Sequence, residues 1–286
     1  KLTRQLSETR SAARREAKAR MKFSLLKSDG IRNPESVVLK AEGLGVSFGG
    51  EVIFRDVSFE VCATEKIVIV GPNGCGKSTL LSVILGSLED YEGEIRLSPY
   101  STFAFMGQKV SFRNEDARVL DEITSRFECT DGQARSLLAQ FGFTDTEIYK
   151  QISVLSGGER SRLYLACMLQ ENPEVIFLDE PTNHLDIPSR EILEKALNGF
   201  AGALIAVSHD RYFIEKCARR VCGFIGNTLK EFDSYSSYRL AEREASLPAS
   251  AGKVEEKDKI NSDTVNPQVA ARRNRAEERR GLLLRR

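Results

Sequence analysis

The sequence has no tryptophan, two histidines and three methionines, and its six cysteines include no Cys-x-x-Cys pair. So few histidines, far apart, with no paired cysteines, add nothing to a zinc reading built on Cys/His spacing. Most of the cysteines (62, 75, 129, 167, 217 and 222) sit inside apolar runs such as Phe59-Glu60-Val61-Cys62. That is the setting of buried free thiols in a reducing compartment, not of a disulfide framework. No apolar stretch approaches the roughly 20 residues of a bilayer-spanning helix, and no signal-peptide pattern is present. A cytoplasmic location with no integral membrane segment is expected. Lys1 stands where an initiator methionine would, so a fragment or a processed chain is expected too.

The net charge of +1 is unevenly spread. Residues 1–30 carry nine Lys/Arg and three Asp/Glu, residues 253–286 carry ten and six, and the stretch between is left at −9. Basic ends around an acidic middle suit a polyanionic partner, although solvated helices and tails give the same pattern. At 286 residues, one domain of roughly 200 to 250 residues plus flanking segments is the simplest partition.

Residues 1–20 are rich in Arg, Ala and Glu without Gly or Pro, and Arg4/Glu8 and Glu16/Arg20 have helical pair spacing. A charged helical linker is therefore expected over 1–30. A domain over 31–246 follows, opening with short β-rich runs: Val37-Val38-Leu39, Val52-Ile53-Phe54, Val57-Ser58-Phe59-Glu60-Val61 and Ile67-Val68-Ile69-Val70. The last is apolar throughout, as a strand buried on both faces should be. Helices are expected from Lys77 and over 158–170, 188–198 and 211–218. Strands are expected at 94–97, 102–105, 174–178 and 203–207. This alternation makes the fold class α/β. Helical spacing between about 109 and 157 predicts an inserted helical subdomain. Beyond residue 247 the chain is charged and expected to be disordered, apart from a short helix near 270–280.

Gly71-Pro72-Asn73-Gly74-Cys75-Gly76-Lys77-Ser78 fits G-x-x-x-x-G-K-[ST], directly after a buried strand and before a helix. The glycines let the backbone curl so that successive N–H groups point at phosphate oxygens, and the helix adds its positive end. Lys77 neutralises phosphate charge, Ser78 can ligate Mg²⁺, and Thr79 completes the binding stretch. The apolar run 175–178 delivers Asp179 and Glu180 to a strand end, where ligands of open α/β sheets sit. Asp179 is a candidate Mg²⁺ ligand and Glu180 a candidate for polarising the attacking water; a helix cap ahead of Pro181 is the other reading.

The run Leu155-Ser156-Gly157-Gly158-Glu159 opens the helix that leads to the Asp179 strand, and exposes a hydroxyl and backbone N–H groups at a helix start. A loop that merely caps its helix would look the same. In this order and spacing, however, residues 37 to about 240 resemble the ATP-binding cassette superfamily. The resemblance implies a P-loop NTPase with a mixed central sheet, an antiparallel β subdomain and a helical subdomain. It implies that ATP and Mg²⁺ bind, and that Ser156, Gly157 and Gly158 engage the γ-phosphate held by a second cassette. That cassette would lie on the same longer chain or in a second copy of this one. Gln108, in Phe105-Met106-Gly107-Gln108, matches the glutamine linking Mg²⁺ or water to the helical subdomain. Asp186 matches a loop aspartate that communicates between cassettes, and His209, in Val207-Ser208-His209-Asp210, a γ-phosphate histidine. Phe48, in Val46-Ser47-Phe48-Gly49-Gly50, falls where the family stacks an aromatic on adenine; core packing is its alternative role.

Glu180-Pro181-Thr182-Asn183-His184-Leu185-Asp186-Ile187-Pro188-Ser189-Arg190-Glu191 resembles the F family of these proteins. So do Ala134-Arg135-Ser136-Leu137-Leu138, Ser208-His209-Asp210-Arg211-Tyr212-Phe213 and Ser234-Tyr235-Ser236-Ser237-Tyr238. That family carries two cassettes per chain and acts on the ribosome. The resemblance implies the second cassette of a longer chain, an RNA partner for its basic flanks, and weak ATPase activity in isolation. The other class is the ATPase subunit of a membrane transporter, whose coupling helix would dock on the insert. A DNA-repair type would need a coiled-coil insertion, and only about 47 residues separate Gln108 from Ser156.

Overall fold

A computed structural model describes residues 33–246 apart from His184. The helices expected over 1–30 and 270–280, and the tail, lie outside the described residues. The elements run β1 (Val37–Phe48), β2 (Glu51–Cys62), β3 (Lys66–Val70), α1 (Lys77–Ile84), β4 (Glu92–Leu97), β5 (Phe103–Met106), α2 (Val119–Phe127) and α3 (Asp131–Gln140). They continue with α4 (Gly157–Gln170), β6 (Val175–Asp179), α5 (Ile187–Gly199), β7 (Ala203–Val207), α6 (Arg211–Cys217), β8 (Arg220–Ile225), β9 (Thr228–Phe232) and α7 (Tyr235–Ser246). The fold is α/β, with a mixed sheet in the order β5-β6-β7-β3-β8-β9 and an antiparallel sheet in the order β2-β1-β4.

Strands β3, β6 and β7 are apolar at nearly every position because both faces are covered. Ile67, Ile69, Val175, Phe177, Ile205 and Val207 pack toward α1 and the antiparallel sheet. Val68, Val70, Ile176, Leu178, Leu204 and Ala206 pack toward α4, α5, α6 and the helical insert. The period of two along each strand thus builds two cores on one sheet.

Parallel register aligns the ends that matter. Met106 pairs with Leu178, Asp179 with Val207, and Val207 with Ile69. The residues leaving β3, β5, β6 and β7 therefore emerge along one edge of the sheet. Buried Lys66 helps fix β3 by donating to the Leu197 and Asn198 carbonyls at 2.8 and 2.9 Å, at the C-terminal end of α5.

Between β5 and α4 lie the two α-helices α2 and α3 and two short 3-10 turns, Glu147–Tyr149 and Ile152–Val154. Thr130 starts α3 with a reciprocal cap: its N–H donates to Gln133 Oε1 at 2.9 Å and its Oγ1 accepts from the Gln133 N–H at 3.4 Å. All six cysteines are free thiols. Burial pushes Cys167, Cys217 and Cys222 up to about 12, which keeps them protonated and inert.

Candidate nucleotide site

The chain leaves β3 at Val70 and turns through residues 71–76 into α1. Gly76 holds φ 98°, and a Cβ there would meet Ile53 Cγ2 at 2.7 Å and Phe54 Cδ1 at 2.9 Å, so glycine is required. Lys77 is buried and folds back over the loop, its Nζ donating to the Gly71 and Pro72 carbonyls at 2.9 Å each. No side chain caps the start of α1 and its first turn holds no acidic residue. Pro72, Asn73 and Gly74 lie on the loop's outer part, while Cys75 is half-buried.

Ser78 Oγ donates to Asp179 Oδ1 at 3.1 Å, which joins the start of α1 to the end of β6. Burial pushes the Asp179 carboxyl up; hydrogen bonds from Ser78 and Gln108 and the Lys77 charge only partly offset it. The next residue, Glu180, is almost fully buried and sits at φ 52°. That left-handed backbone costs about 1–3 kcal/mol in a non-glycine residue and recurs at functional sites. It is held by the Glu180 N–H donating to Val207 O at 2.9 Å and by the Asn183 N–H donating to Glu180 O at 3.1 Å. Glu180 Oε2 lies 2.7 Å from Nδ1 of His209, whose side chain is 62% exposed.

Ser156, Gly157 and Gly158 open α4. Ser156 Oγ accepts from the Glu159 N–H at 3.3 Å, and Glu159 Oε2 accepts from the Ser156 N–H at 2.7 Å. Burial would raise the Glu159 carboxyl, but Lys150, whose Nζ donates to Oε1 at 2.9 Å, and the two Ser156 contacts hold it at about 2. Phe48 ends β1 with its side chain about half exposed, outside both cores.

A sequence model of the ABC transporter family matches residues 54–183. ABC transporter F family member 5 of Arabidopsis thaliana is 35% identical over 236 residues, covering 78% of this chain and 34% of the relative. Ribosome protection protein VmlR of Bacillus subtilis is 34% identical over 229 residues, covering 80% of this chain and 42% of the relative. A solved metal-chelate type ABC transporter in an inward-facing conformation matches with a TM-score of 0.59 at 22% identity, over 73% of this chain and 90% of that one; this likeness concerns the fold.

The chain belongs to the ATP-binding cassette family. It groups with F-family members, and ATP hydrolysis is the activity expected of such a cassette. It spans roughly a third to two-fifths of the length of these two curated relatives. No helix among the described residues is long and apolar enough to cross a membrane.

The loop that leaves β3 borders a cleft of about 830 Å³. One wall is Val70, Gly71, Pro72, Asn73, Ser208 and His209; the other is the inner face of α7, with Tyr235, Arg239 and Arg243. Ser156, Gly157 and Gly158 are not among the residues lining it. Sequence reasoning read no helix at 235–246 and so missed this wall. The spacing of Tyr235, Tyr238 and Glu242 on one helical face was the available signal. Tyr238 anchors α7: its ring lies over Gly223, where a Cβ would sit 2.2 Å from Tyr238 Cδ2, and meets Phe232 edge-on at 5.6 Å.

Asp186 has a local duty in the cassette. It caps α5, accepting from the Ser189 N–H at 3.0 Å. The Ser78 hydroxyl and the Gln108 amide both hydrogen-bond the Asp179 carboxylate, and these three side chains carry the hard oxygen atoms that could hold Mg²⁺. Among the described residues no group of three or more His, Cys, Asp and Glu could hold a metal by itself.

Proposed function

We propose that this cassette binds Mg·ATP on residues 71–79 and hydrolyses it when a second cassette closes over the site. The reading is carried by one convergence: the uncapped start of α1, the Ser78–Asp179 pair and the Glu180–His209 pair, all on one sheet edge. The N–H groups of the loop and Lys77 bind the phosphates, and the exposed Phe48 ring offers a stacking face for adenine. Ser78, Asp179 and Gln108 would hold Mg²⁺, which would neutralise phosphate charge when bound. Glu180 accepts the proton of the attacking water as the new P–O bond forms and the bond to the ADP oxygen breaks. The hydrogen bond between His209 Nδ1 and Oε2 leaves Oε1 for the water. Ser156, Gly157 and Gly158 serve the nucleotide of the partner cassette.

The test is Glu180→Gln. ATP hydrolysis should stop while nucleotide binding persists; hydrolysis at the parent rate refutes the assignment.

For the biological setting, we infer a cytoplasmic factor acting on the ribosome. The F-family relatives, one of them named a ribosome protection protein, and the basic segments 1–30 and 253–286 support this. Glu180→Gln with ATP should enrich on sedimented ribosomes. Absence from ribosomes with recovery in a membrane complex favours a transporter ATPase subunit instead.

A further inference from the structure

Glu180 and His209 come from separate loops, and one guanidinium spans both. Arg190, near the start of α5, donates from Nε to Leu185 O at 3.1 Å and from Nη1 to Asp210 Oδ2 at 3.3 Å. Leu185 immediately precedes Asp186, and Asp210 immediately follows His209. Asp210 is fixed on its other sides too. Its Oδ1 accepts from the Tyr212 and Phe213 N–H groups at 2.9 and 3.3 Å, and its own N–H donates to Ser208 Oγ at 3.1 Å. Ser208 is fully buried. The His209 ring, by contrast, is mostly exposed and meets Glu180 through Nδ1. Its aim is therefore set by the backbone on either side, and that backbone is tied to the 180–186 loop through Arg190.

We propose that Arg190 is a positioning residue of the hydrolytic site. It holds His209 in register with Glu180 and makes the loop bearing Asp186 and the turn bearing His209 move as one unit. A guanidinium can donate in two directions at once from one plane. A lysine ammonium is a point charge that serves one of these acceptors well. Because the nucleotide is held by residues 71–79, the loss of Arg190 should fall on turnover and not on binding. The inference rests on the hydrolytic reading above.

The experiment is steady-state ATP hydrolysis by the full 286-residue chain with Arg190→Ala, Arg190→Lys, Asp210→Asn and the Ala/Asn double variant, beside Glu180→Gln as control. Misplacement by about 1 Å can cost up to about 100-fold in rate, so Arg190→Ala should lower kcat at least about tenfold with KM for ATP unchanged within about twofold. Arg190→Lys should recover part of the rate. The double variant should be no slower than the worse single one, because both changes break the same link. Should Arg190→Ala not fold, Arg190→Lys and Asp210→Asn carry the same comparison. A parent kcat in Arg190→Ala beside a dead Glu180→Gln overturns the role of Arg190 alone, as do fully multiplicative losses or a rise confined to KM. Equal hydrolysis by Glu180→Gln overturns the underlying reading, and this inference with it.

Discussion

The starts of α1 and α4 look alike in sequence, each a glycine-rich turn with a serine, yet they end their helices differently. At α1 the residue before the helix is Gly76, at φ 98°, and no side chain caps the N–H groups. At α4 the chain supplies its own anion: Glu159 closes a reciprocal cap with Ser156 and is itself held by Lys150. Helix-start N–H groups need partners. The first start has no side-chain cap for them, while the second satisfies two N–H groups internally and keeps Ser156 and Gly157 on the surface. Under the proposed function, the first would bind phosphate within one chain and the second would touch the nucleotide of another cassette.

Changes at the two starts should therefore have different consequences. The largest is expected for Lys77→Ala. Charge-assisted hydrogen bonds are worth about 1.5–3 kcal/mol, so ATP affinity by calorimetry should fall roughly 10- to 100-fold; an unchanged affinity would erase the contrast. Next is Ser156→Ala, which should cost about 1 kcal/mol in urea unfolding through the lost cap and leave ATP affinity unchanged. Weakened ATP binding in this variant would mean that α4 serves the same nucleotide as α1. The smallest effect concerns Glu159. Its carboxyl, held at about 2, lies below the ordinary value of about 4.3. Its stabilising contribution is thus fully present above about pH 4.3 and is lost as pH falls through about 2. The difference in urea midpoint between parent and Glu159→Gln should shrink over that window; a constant difference would place the carboxylate outside the cap.

The α/β order and both carboxylates at the end of β6 were legible because they combine two signals. Runs apolar on both faces mark interior strands, and fixed residue spacing marks the turn that follows. Other features lacked one signal or both. The hairpin of β8 and β9 went unread because Gly223 and Gly226 interrupt its apolar pattern, yet Gly223 is there to admit the Tyr238 ring. The serine-rich start of α7 gave no helix signal, although Ser234 Oγ accepts from the Ser237 N–H at 3.2 Å and starts the helix. Of β1 only Val37-Val38-Leu39 read as a β-rich run, because Gly43 and Gly45 divide what is one strand of 12 residues. The family resemblance gave Asp186 a part in communication between cassettes; its cap on α5 appears only in the structure. The Arg190 bridge joins residues 20 positions apart through a side chain, and no local pattern announces it.

The most direct test is ATP turnover per chain measured against protein concentration, with the mass of the species followed by light scattering. If the start of α4 acts only on a partner's nucleotide, the rate per chain rises with concentration as paired cassettes form. A chain that stays monomeric and turns over ATP at a full, concentration-independent rate would contradict the account.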